Sequence, residues 1–146
     1  MGKILFLVGM FSCLAGCLKQ ENYGPWQSLD IYKTSSVLTQ SYHFTVSKEA
    51  NGSMTIQGFC FDNEKEYRLE EKVLLSEGVA EALLGMKLEM VSTQKSKPKI
   101  FDVADEVQMR CTLTNADGTQ RNIAISDEMQ QELITLLKTE MIHKTR

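Results

Sequence analysis

The sequence has few of the residues that build catalytic and metal centres. It holds two histidines, four cysteines and one tryptophan in 146 residues. No CxxC or HxxxH spacing occurs, so no local zinc motif is present. No GxGxxG or GxxxxGK[ST] occurs, which removes the glycine-rich phosphate loops. Two acidic stretches, 62–66 (DNEKE) and 115–118 (NADG), lack the ligand spacing of a calcium loop and sit where hairpin turns are needed. The sequence therefore indicates no metal and no cofactor. Neither charge sign dominates: 16 basic residues face 19 acidic ones, a formal net charge of −3. Nucleic acid, which calls for a basic face, is not expected as a partner. There is no long apolar run either. The longest stretch, residues 4–16, is about 13 residues, whereas a bilayer-spanning helix needs roughly 20.

What is there begins with that short run. It follows a single lysine, Lys3, and closes on the small residues Ala15 and Gly16 before Cys17. A basic start, roughly 7–15 apolar residues and small residues at the end make a secretory signal. A buried first helix or strand is the competing reading, but Ile4 to Cys13 has no polar face except Ser12. The chain then turns polar at once, in LKQENYGPWQS.

Leu14-Ala15-Gly16-Cys17 resembles the bacterial lipoprotein signal at every position of its lipobox. The resemblance covers about the first 17 residues. It implies that the Cys17 thiol receives a diacylglyceryl group, that the chain is cut before Cys17, and that the fatty acids of the mature residue, palmitate among them, hold the protein on a membrane. It also implies a cell-envelope location. Leu18 follows the cysteine where enterobacterial-type sorting would want Asp for retention at the inner membrane, so in a Gram-negative host the outer membrane is expected.

On this reading residues 1–16 are the signal peptide, residues 17–40 are the lipidated cysteine and a tether, and residues 41–146 form one domain. Cleavage leaves 130 residues, enough for one real core. Cys60 and Cys111 are then the only thiols not removed or lipidated. An oxidising compartment favours a disulfide between them; two buried free thiols are the alternative. Trp26 could pack on the domain or sit at the bilayer interface.

Strands are legible by alternation. SYHFTVS (41–47) alternates, Asn51-Gly52 marks a hairpin, and SMTIQGFCF (53–61) returns. YRLEEKVLL (67–75) follows with weaker alternation. SLDIYK (28–33) reads as a short strand or a helical turn. Ser76 before an acid predicts a helix carrying Val79, Leu83, Met86 and Met90 at helical spacing. VQMRCTL (107–113) and TQRNIAI (119–125) form another pair about Asp117-Gly118. Ser126 predicts a second helix with Leu133, Leu137 and Met141 on its inner stripe.

The fold class is thus α+β: two layers, a mainly antiparallel sheet of about five strands, and two helices on one face. Both halves read strand with Cys, turn, strand, Ser, acid, helix. This suggests a ββα–ββα repeat, although strand–cap–helix is common enough to arise twice by chance. Phe59 and Phe61 point opposite to Cys60, so an aromatic patch faces either the tether or solvent.

No catalytic constellation is apparent. His43 lies on the polar side of a strand, and His143 is near the C-terminus, where chains fray. Lys95, Lys97 and Lys99 form a basic linker or a contact to phospholipid head groups. The expected protein is a non-enzymatic, lipid-anchored module that binds an unidentified envelope protein or component. An inhibitor of a periplasmic hydrolase is the alternative, with Asn51-Gly52 and Asp117-Gly118 as the available loop tips. An enzyme is the third reading, which a deep polar pocket containing His43 would favour.

Overall fold

A computed structural model describes residues 25–94 and 108–146. Within them six strands form one open antiparallel sheet: β1 (Trp26–Thr34), β2 (Tyr42–Lys48), β3 (Met54–Asp62), β4 (Lys65–Leu74), β5 (Gln108–Asn115) and β6 (Gln120–Asn122). Two α-helices follow the two outer hairpins, α1 (Glu77–Gly85) and α2 (Asp127–Lys144). The strand order is β4-β3-β2-β1-β5-β6.

The hairpin β1–β2 is therefore the centre of the sheet. Leu29 faces Val46 and Ile31 faces Phe44 across it. All four side chains are fully buried. Alternation carries the apolar positions to one side, where Ile56 on β3 and Cys111 and Leu113 on β5 extend the layer. Leu83 of α1 and Leu133, Leu137 and Met141 of α2 close the core from the same side. Burying such side chains contributes about 1.5–3 kcal/mol each against exposure.

Residues 28–33 thus lie in a nine-residue central strand, and residues 38–40 form a 3-10 turn leading into β2. The sheet includes Trp26–Thr34. The tether boundary at residue 40 is corrected: an extended segment with two buried positions two residues apart needs partners on both edges, and β2 and β5 supply them. Trp26 is 1 % exposed and part of the core, with the Lys48 ammonium 4.1 Å over its ring. Packing, not an interfacial position, accounts for it. Burial pushes the Lys48 pKa down, while the charge of Glu89 opposes that shift.

The expected disulfide is not formed. Cys60 and Cys111 are both free and buried. They lie on β3 and β5, with β2 and β1 between. Three strand intervals of roughly 4.8 Å separate them by about 14 Å, far beyond the 4.4–6.8 Å between Cα atoms that a bridge requires. Matching places in two hairpins met in space only if those hairpins were neighbours, and they are at opposite edges. Burial raises the Cys60 thiol to about 11 and Cys111 to about 12, so both stay protonated at neutral pH.

The two helix starts are built differently. Ser126 caps α2: its Oγ accepts from the Met129 N–H at 3.1 Å. Ser76 makes no such bond in α1. Its backbone N–H and its Oγ donate instead to the two carboxylate oxygens of Glu140, at 2.6 and 2.9 Å. Glu140 is only 4 % exposed, so this clamp satisfies a buried charge and ties α2 to the β4–α1 junction. Past α1 the chain reaches Lys87, in the left-handed region, and the 3-10 turn 88–90. Arg121 of β6 donates to the carbonyls of Glu89 and Val91 at 2.9 and 2.6 Å, which anchors that turn.

Candidate binding face on the open side of the sheet

Among the described residues, one face of the sheet carries no helix. Its side chains are the polar halves of each alternating strand, and the register puts them in rows. Tyr32 on β1 lies opposite both His43 on β2 and Arg110 on β5. His43 lies opposite Phe59 on β3, and Phe59 opposite Arg68 on β4. A row crossing five strands thus reads Arg110, Tyr32, His43, Phe59, Arg68. At roughly 4.8 Å per strand it extends about 19 Å. The Tyr32 and His43 rings meet edge-on at 5.8 Å, and the Arg68 guanidinium stands 4.8 Å over Phe59. Phe61 joins Phe59 edge-on at 6.2 Å.

Asp30, one register step along, organises the middle of the row. Its Oδ1 accepts from His43 Nε2 at 2.6 Å and from the Thr45 hydroxyl at 2.8 Å. A carboxylate only accepts, so the hydrogen resides on Nε2 of His43. His43 and Asp30 remain partly open, with side chains 43 % and 38 % exposed. The end of β1 and the 3-10 turn raise a wall beside them. The result is a cleft of about 490 Å³, lined among others by Asp30, Tyr32, His43, Phe59 and Leu38. Leu38 is 67 % exposed. The size falls within the roughly 300–1,000 Å³ of small-ligand sites.

The close approach of β2 and β3 under this row depends on Gly58. Its φ is +135°, and a Cβ there would lie 1.9 Å from the His43 carbonyl oxygen. Only glycine fits. The pairing of β3 with β4 shifts register at the same place, between Ile56 and Gly58.

His43 is therefore a held side chain on an open face and not the centre of a deep pocket. Among the described residues no hydroxyl or thiol is hydrogen-bonded to it, and no group of three His, Cys, Asp or Glu side chains could hold a metal. His143 is not frayed: it stands in the last turn of α2. It borders a second hollow of about 780 Å³ between α1 and α2. That hollow has an apolar floor of Val79, Met86 and Leu136, while its Glu140 carboxylate is already committed to Ser76. The loop tips at Asn51-Gly52 and Asp117-Gly118 are tight turns with glycine φ of +88° at both, and they present no large apolar side chain.

Of the residues singled out from sequence, the structure brings His43 and Phe59 together and keeps Cys60 and Cys111 apart. Cys17 and the lysines 95, 97 and 99 lie outside the described residues. Asp30, Tyr32, Arg68 and Arg110 were not singled out. Each is the polar partner of an alternating strand, which is a legible signal, but their meeting depends on register. No helix among the described residues is long and apolar enough to cross a membrane. Compared with known proteins, the chain matches no family model, no curated protein and no solved structure.

Proposed function

We propose that this chain is a lipid-anchored bacterial envelope protein, non-enzymatic, whose domain binds an envelope component through the open face of its sheet. The anchor reading rests on Leu14-Ala15-Gly16-Cys17 at the end of a short apolar run. The binding reading rests on one observation: the row from Arg110 to Arg68, in which rings, an ordered imidazole and cations share a face that no helix among the described residues covers. Eight residues lie between Cys17 and the start of β1 at Trp26, a reach of at most about 30 Å. The face would then work close to the membrane surface, the outer membrane in a Gram-negative host. The inferred architecture is two ββα units flanking the β1–β2 hairpin. The strand order supports it, since β3–β4 and β5–β6 occupy equivalent places at opposite edges.

Two measurements test the proposal. Cys17→Ser should move the protein out of the membrane fraction or leave it uncleaved. Normal processing and continued membrane association would end the anchor reading. One acyl chain holds only marginally and two hold stably, at about 0.8 kcal/mol per buried CH₂. A photo-crosslinker at Tyr32 should capture an envelope component that the same group at Glu132, on α2, does not. Equal yields from both positions would end the assignment of the face.

A further inference from the structure

We infer that the cleft at Tyr32 and His43 takes an acidic sugar: a hydroxylated ring carrying a carboxylate, as a single residue or within a glycan. This rests on reading the open face as the binding face. Both bonds that Asp30 accepts end on Oδ1. Its Oδ2 has no partner among the described residues. An unspent carboxylate oxygen calls for a donor, and sugar hydroxyls are donors. The rings of Tyr32 and Phe59 flank Asp30 and His43, and electron-rich ring faces suit the C–H faces of a pyranose. Lys33 also lines the cleft, but alternation along β1 puts it on the face opposite Tyr32; the cations of the row itself are Arg68 and Arg110, the latter just outside the cleft. Arg68 is already engaged by Glu66, at 2.7 Å. Arg110, beyond Tyr32, makes no ion pair with any described residue. A carboxylate therefore belongs at the Arg110 end, where a guanidinium offers paired donors. A phosphodiester chain fits this row poorly, because the Asp30 carboxylate stands in its path.

The test is an NMR titration of the full chain with trigalacturonate, with neutral maltotriose and with an oligothymidylate. Trigalacturonate should shift the Tyr32, His43 and Phe59 resonances and bind roughly tenfold more tightly than maltotriose. Arg110→Gln should bring it down to the maltotriose level, and Tyr32→Ala should weaken both sugars. Arg110 is exposed, so the glutamine variant keeps the fold. Equal binding of the two sugars, indifference to Arg110→Gln, tighter binding of the oligothymidylate, or no shift at these residues would each overturn the inference. If trigalacturonate fails while the crosslinker at Tyr32 still captures a specific component, only the sugar is lost. If both fail, the binding face is lost with it.

Discussion

The two outer hairpins, each followed by a helix, invite comparison. β3–β4–α1 and β5–β6–α2 share an order of elements, a buried cysteine at a matching point and a serine before the helix. They differ in nearly every contact that makes those features work. Ser126 caps its own helix; Ser76 instead clamps a carboxylate from the other helix. β3 has Gly58 at positive φ two residues before Cys60, whereas β5 has Met109 at the matching place. β4 is a ten-residue edge strand bearing Lys65, Glu66, Arg68, Glu70, Glu71 and Lys72; β6 has three residues, and Thr93 bridges to Ile123 beyond it. Charges on an uncovered edge oppose pairing with another chain. A short edge with a neighbouring segment needs no such protection. Similar local patterns have thus been put to different structural uses.

The largest contrast should come from Gly58 and Met109. Gly58→Ala should destabilise by about 3 kcal/mol or more, because backbone strain adds to a clash that no side-chain rotation relieves. Met109→Ala, at a partly buried position, should cost about 2 kcal/mol. Denaturant unfolding of both variants checks this, and a Gly58→Ala loss below that of Met109→Ala would mean that β2 and β3 can separate.

The serines should differ next. Ser76→Ala removes one of two bonds to a buried carboxylate and should cost about 2 kcal/mol. Ser126→Ala removes a cap and should cost about 1 kcal/mol. The double variant Ser76→Ala, Glu140→Gln should recover part of the first loss, since the neutral amide is less costly to bury. If all three melt alike, the clamp contributes nothing.

The smallest contrast lies between the thiols. Both folded-state pKa values are raised above the unfolded one, so the associated stability is complete below about pH 9 and is lost as pH rises through 11 for Cys60 and 12 for Cys111. Stability should be flat from pH 7 to about 9 and fall above it. Cys111→Ala should flatten that fall more than Cys60→Ala. At pH 7 neither thiol should react with a disulfide reagent until the chain unfolds, because the thiolate is the nucleophile.

The sequence by itself determined the local elements wherever burial is one-sided. Period-two alternation marked β2, β3 and β5. The stripe Leu133, Leu137 and Met141 marked α2 and is buried as that spacing demands. Asn51-Gly52 and Asp117-Gly118 fall at turns because positive φ is a property of the residue itself. An isolated glycine in the pattern of β3 signalled a close backbone approach, though not what approaches. Tertiary structure alone decided which strands are neighbours. Strand order put Cys60 and Cys111 on opposite sides of a central hairpin, drew residues 26–34 out of an apparent tether into the middle of the sheet, and set Asp30 beside His43. Alternation states which face a side chain takes, but not which strand lies next to it. The cleft at Tyr32 and His43 is made from β1, β2 and β3 together, so no single segment carries its signature.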